Sequence, residues 1–218
     1  MILFSGCSFT WGDELQGIEG NHKRRIEKRF SSLATNKQSF NISENGISND
    51  VIVRKTIDFI EGWDELPEFV VVQFTVSNRY SIYYDNNWIN INTHFMKKPP
   101  TRWWFKEIHN EVYAANELWR CIHLMELYLE NKKIPYYFMR IGGSIEDQIE
   151  KQDNTYKRAS KNKNITRIDR DLIGYHLKTT KPPNPNYCPY INPRFGGGHP
   201  SEKGHKIIAD HLQGILPK

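Results

Sequence analysis

Apolar residues in this chain alternate between short unbroken runs and longer stretches in which they recur every three or four positions. The first run, Met1–Ser5, ends at Gly6 and predicts a buried strand feeding a turn. Ser39–Ile42 predicts a short second strand. Ser48 predicts the cap of a helix running to about Glu61, with Ile47, Val51, Ile57 and Ile60 roughly on one face. Phe69–Phe74, a Val-Val-Val run preceded by Pro67, predicts a strand buried on both faces. Across residues 107–132, Ile108, Val112, Ala115, Trp119, Ile122, Met125 and Leu129 form one continuous apolar stripe, which predicts a long helix. Pro135 opens a strand, Tyr136–Ile141, stopped by Gly142-Gly143. Ser201 predicts the cap of a last helix, Glu202 to about Gln213, with Ile207, Ile208, Leu212 and Ile215 inward.

Strands separated by long helices imply βαβ crossovers and a parallel sheet between helical layers. Three stretches break that rhythm. Residues 20–37 are polar and basic and predict a helix or surface loop. Residues 79–106 form an aromatic-rich insert, and 151–198 is a long polar, Pro-rich segment with little periodicity. No internal repeat is present, and 218 residues suit a single α/β domain.

Composition narrows the function classes. Apolar residues make up 38% of the chain, with 6 Trp, 11 Tyr and 11 Phe, enough for a sizeable core and too many for a disordered polymer. A mean hydropathy of −0.67 and the lack of any long apolar run exclude a helical membrane span. Thirty Lys and Arg against 25 Asp and Glu give +5, an excess too mild to define a nucleic-acid-binding protein. Cys7, Cys121 and Cys188 are an odd, widely spaced set that suggests neither a zinc site nor a disulfide framework. The opening Met-Ile-Leu-Phe-Ser-Gly reads as a strand and not a signal peptide, so a reduced, cytoplasmic setting is expected.

Ligands of parallel α/β sheets bind beyond the carboxyl ends of the strands. Gly6-Cys7-Ser8-Phe9-Thr10-Trp11-Gly12 follows the first strand, and Glu44-Asn45-Gly46-Ile47-Ser48-Asn49 the second. Thr75-Val76-Ser77-Asn78-Arg79 follows the third, and Gly196-Gly197-Gly198-His199-Pro200-Ser201 precedes the last helix. A serine in a glycine-flanked strand-to-helix turn, amide and Asn donors from neighbouring turns, and a histidine from a late loop are the parts that acyl transfer needs.

On those residues the chain resembles the SGNH (GDSL-type) hydrolases. Gly6-Cys7-Ser8-Phe9-Thr10-Trp11-Gly12 looks like their first block, with Cys7 where Asp is commonest. Gly46 matches the second block, Val76-Ser77-Asn78-Arg79 loosely matches the third, and His199 through His205 resembles the last. The blocks occur in family order, in a style similar to short members encoded by phages. The resemblance implies a three-layer α/β/α domain with a flavodoxin-like parallel sheet over residues 1–218. It makes Ser8 the nucleophile and His199 the general base. It gives the oxyanion to the backbone N–H groups of Ser8 and Gly46 and to the Asn78 side chain, and it implies no metal or organic cofactor.

Two departures stand out. The third block lacks its Gly and final Asp, and a one-residue slip puts Ser77 at the Asn position. The last block normally places Asp three residues before His, where this chain has Gly196. Three replacements are conceivable: a backbone carbonyl of the 194–198 loop, Asp169 or Asp171, or none, with a degenerate site. The expected activity is hydrolysis of a small acyl ester, with an O-acetyl group on a carbohydrate as the leading candidate. The alternatives are an acyltransferase and an inactive binding or virion-associated structural module.

The insert is expected to overhang the site. Arg79, Trp88, Trp103 and Trp104 are candidate substrate-binding residues, because aromatic faces suit sugar rings and Arg suits a carboxylate or phosphate. A satellite core under a long loop is the competing reading. Lys97, Lys98 and Arg102 are too few to make single-stranded nucleic acid the expected partner. Basic residues 23–29 and 157–170 read as solvated faces, Trp11 and Trp63 as core, and Cys7 and His205 as structural.

Overall fold

In the structure, a computed structural model, residues 1–15, 20–92, 98–141, 165–168, 172 and 199–218 are described. Strands β1 (Ile2–Gly6), β2 (Ser39–Asn41), β3 (Phe69–Phe74), β6 (Tyr136–Arg140) and β7 (Ile165–Arg167) pair in parallel in the order β2-β1-β3-β6-β7. Every residue of β1 and β3 is buried, which is why both read as unbroken apolar runs rather than alternating ones. The register sets Ile2 beside Phe69 and Gly6 beside Gln73, while Val70 pairs with Tyr136.

Helices cover both faces. The long pair α4 (Asn49–Glu61) and α6 (Glu111–Asn131) pack on each other. The short α2 (His22–Lys28) and α3 (Phe30–Leu33) pack on the terminal α7 (Glu202–Gln213). The expected three-layer α/β/α domain with its flavodoxin-like strand order is therefore present. Between β1 and its two neighbours the chain order changes direction, so a crevice opens there, beyond the carboxyl ends of the strands. A four-residue helix, α1 (Ser8–Trp11), starts at that point.

The apolar faces depart from the sequence pattern in two helices. In α4 the buried line is Ile52, Val53, Thr56 and Ile60, and Val51 and Ile57 are only partly covered. In α6 the stripe holds from Ala115 to Leu129, but Ile108 and Val112 are exposed. The helix starts only at Glu111, because Asn110 caps it by accepting from the Val112 and Tyr113 amides. Trp63, expected in the core, is 41% exposed and stacks on Phe59 at the surface. Trp11 is half-buried. Arg25, expected on a solvated face, is buried with its guanidinium 3.8 Å over the Trp11 ring.

The insert is in part regular. Strands β4 (Tyr80–Tyr84) and β5 (Asn87–Ile91) form an antiparallel hairpin, turned by Asp85 and Asn86 at φ 49° and 59°. Helix α5 (Pro99–Trp103) then runs into a π-helical turn, Trp104–Ile108. Among the described residues, no helix is long and apolar enough to cross a membrane.

Candidate active site

The first block folds around Gln73. Its side-chain oxygen accepts from the Cys7 amide at 3.3 Å, the Cys7 thiol at 3.2 Å and the Thr10 hydroxyl at 3.2 Å. Its amide nitrogen donates to the Phe74 carbonyl at 2.7 Å. One buried amide in β3 thereby holds the turn that presents Ser8 as the first residue of α1. Cys7 is fully buried in a packing role, as expected.

Gly6 permits this closeness. A Cβ there would lie 2.9 Å from both the Gln73 Cβ and the Gln73 carbonyl oxygen. Gly6→Ala is expected to force β1 from β3 and cost about 1–3 kcal/mol. Urea denaturation of the variant checks this, and an unchanged midpoint would show that the two strands separate freely.

Ser8 is fully buried, and its hydroxyl lies 3.7 Å from the Cys7 sulfur. The chain then returns over it: the Gly12 and Asp13 amides both donate to the Ser8 carbonyl at 3.0 Å. Asp13 accepts from the Asn45 side-chain amide at 2.8 Å, tying this turn to the second block, where Gly46 has φ 80°. The Ser8 and Gly46 amides donate to no described residue. Asn78 is half-buried, and its side chain bonds no described residue.

His199 reaches the same turn from the start of α7. Its Nδ1 lies 3.1 Å from Glu14 Oε1, its Nε2 lies 3.8 Å from Asp13 Oδ2, and its ring sits 5.5 Å from that of Phe9. The side chains of His199 and Glu14 are 13% and 10% exposed, so this contact is largely shielded from solvent. No hydrogen bond joins Ser8 to His199.

Glu14 is the residue the sequence reading missed. The candidates from the sequence were a carbonyl of the 194–198 loop, Asp169 or Asp171, or none, whereas this carboxylate comes from 185 residues before the histidine. Its signal was slight: two acids directly after the Trp11-Gly12 end of the first block. Asp169, Asp171, the 194–198 carbonyls, Gly196 and Cys188 lie outside the described residues.

His205 anchors the helix that delivers His199. Its ring is fully buried, its Nδ1 accepts from the Phe30 amide at 3.1 Å, and it stacks on Phe30. Burial, then the nearby His199 and Arg29, push its pKa down to about 3. Among the described residues, no cluster of His, Cys, Asp and Glu could hold a metal ion.

Arg79 and Trp104 line a ≈ 210 Å³ cavity that includes neither Ser8 nor His199. Trp88 and Trp103 do not line it and are 60% and 55% exposed. Trp88 packs against Tyr83 and beneath Arg54 of α4. Two further contacts fix the insert: the Ser81 hydroxyl lies 2.7 Å from that of Ser48 at the start of α4, and Tyr80 bonds His109 at 2.8 Å.

No protein-family model and no curated protein matches the chain by sequence. Solved structures do. The fold is that of a lipolytic protein of the G-D-S-L family from Desulfitobacterium hafniense (TM-score 0.55, 13% identity, 99% of this chain and 98% of the other). It is also that of a psychrotrophic esterase from Pseudoalteromonas sp. (0.55, 11%, 98% and 94%). An acetyl xylan esterase from the rumen bacterium Butyrivibrio proteoclasticus matches at 0.53 and 12% identity, over 99% of this chain and 63% of that one. The chain thus has the SGNH hydrolase fold, as its sequence blocks imply.

Proposed function

We propose that the protein is a serine esterase in which Ser8, His199 and Glu14 form the catalytic set. The observation that carries this reading is the Glu14–His199 pair seated on the Ser8 turn. With Nδ1 occupied by a carboxylate, Nε2 is the nitrogen left to accept the serine proton, the division of roles that a serine triad requires. Catalytic hydrogen bonds are commonly long before substrate binds, so the missing Ser8–His199 bond is one for substrate to complete.

Ser8 Oγ attacks the ester carbonyl carbon while His199 Nε2 takes its proton. The Ser8 and Gly46 amides and the Asn78 side chain hold the oxyanion. Collapse expels the alcohol, which takes the proton from Nε2. Water, deprotonated by His199, then attacks the acyl-serine, releasing the acid and restoring Ser8. The substrate is a small acyl ester, with carbohydrate O-acetyl groups favoured by the acetyl xylan esterase among the structural neighbours and by the exposed rings of Tyr83, Trp88 and Trp103.

The buried Ser8 favours a second reading, a non-catalytic binding module. Intact-mass analysis after fluorophosphonate treatment separates the two. A one-to-one adduct on the wild type, absent from Ser8→Ala, is expected. Folded wild type that takes up no adduct would replace the esterase reading by the binding module.

A further inference from the structure

The cavity beside the third block is lined by Ser77 and Arg79 of the strand-to-hairpin connection, Tyr80 of β4, Asn49 and Asp50 of α4, Trp104, and Glu117 and Arg120 of α6, among others. Two of its donors are unusual. Arg79 Nη1 and Trp104 Nε1 are both buried, and neither has a hydrogen-bond partner among the described residues. A buried donor without a partner is costly, so two in one cavity call for a ligand that accepts from both. Guanidinium and indole N–H groups only donate, which restricts the complementary atoms to acceptors.

The charges of the lining sharpen this. Asp50 pairs with Arg54 at 3.3 Å, and Glu117 pairs with Arg120. Arg79 has no ion-pair partner among the described residues, so the uncompensated charge of the cavity is its single positive one. The two carboxylates on the wall also disfavour a dianion such as phosphate relative to a monoanion. The volume suits a carboxylate with a short carbon chain, below the usual 300–1,000 Å³ of sites for larger ligands. Cys121 on the wall is kept a neutral thiol, its pKa pushed up to about 12 by burial, and adds no competing charge.

The location ties this cavity to the reaction proposed above. Ser77 and Arg79 line it, and between them in the chain stands Asn78, the oxyanion donor of that reading. We propose that the cavity holds a carboxylate group of the ester substrate, bonded to Arg79 Nη1 and Trp104 Nε1. This rests on the esterase reading for the ester, and on the cavity alone for the carboxylate. The protein then acts on carboxylate-bearing esters in preference to neutral ones.

The test uses ¹⁵N-labelled Ser8→Ala protein, so that binding is read without turnover. The Trp104 indole N–H resonance, assigned with Trp104→Phe, is followed during titration with butyrate and, in parallel, with neutral butyramide. Butyrate is expected to shift it saturably and butyramide is not. Arg79→Gln is expected to weaken butyrate at least tenfold, with Arg79→Lys intermediate, the amide spectrum of each variant reporting its fold. No saturable shift, or an unchanged affinity in folded Arg79→Gln, would overturn the proposal. In the wild type, saturating butyrate is expected to slow fluorophosphonate labelling of Ser8 at least threefold. Labelling at an unchanged rate would overturn the assignment to the ester substrate. Butyrate binding in a protein whose Ser8 never reacts would end the esterase reading and leave the carboxylate site standing.

Discussion

Glu14→Gln is expected to lower turnover by about 10³–10⁴-fold, the scale seen when a triad loses the acid that orients its histidine. In the proposed catalytic set the carboxylate does three things at Nδ1. It selects the tautomer with Nδ1 protonated, aligns the ring, and stabilises the imidazolium that forms as Ser8 gives up its proton. Gln keeps the shape and removes the charge. Because the loss falls on the transition state, kcat should drop while KM changes little. Glu14→Asp keeps the charge on a shorter stem and should recover part of the activity, which a merely structural role would not predict. Asp13→Asn is the comparison: its carboxylate accepts from Asn45 and stands 3.8 Å from Nε2, beyond hydrogen-bond reach, so its effect should be far smaller. Steady-state kinetics of the three variants on 4-nitrophenyl acetate decide the matter. Wild-type kcat in Glu14→Gln would remove Glu14 from the catalytic set.

That Glu14 was invisible beforehand has a physical reason. The sheet was legible because β1 and β3 are buried on both faces and announce themselves as apolar runs, and α7 because Ser201 caps it and Ile208 and Leu212 repeat at helical spacing. Local pattern also singled out Ser8 and His199 as candidates, since glycine-rich turns and a pre-helix loop are signals written in neighbouring residues. A carboxylate that meets its histidine from 185 positions away leaves no such signal. Gln73 was missed for a related reason: in β3 it interrupts an apolar run, and only the register that sets it beside Gly6 gives it work on the Cys7 turn. The helical faces failed where tertiary contacts overrode periodicity. Val112 fits the stripe of α6, yet it sits in a first turn that extends beyond the covered part of the helix. The hairpin carried a cue in Asp85-Asn86-Asn87, residues that tolerate the left-handed backbone of a tight turn.

Acidification is expected to destabilise the fold through His205 before most carboxylates titrate. In the unfolded chain this imidazole binds its proton near pH 6.5, whereas in the fold it does so only near pH 3. Between those values the unfolded state holds more protons, so stability rises with pH. The contribution is fully present above about pH 6.5 and is lost as the pH falls toward 3, at about 1.4 kcal/mol per pH unit within the window. The cause is geometric. Nδ1 is committed to accepting from the Phe30 amide, the ring is stacked on Phe30, and its full burial removes it from bulk solvent. Protonation must break the Phe30 bond, and with it the seat of α7, the helix that begins just after His199. Denaturant titrations from pH 7 to 4 measure the slope. His205→Asn, whose side-chain oxygen can still accept from Phe30, is expected to be less stable at pH 7 but distinctly flatter toward pH 4. Equal slopes in the two proteins would mean that His205 does not govern the acid limb.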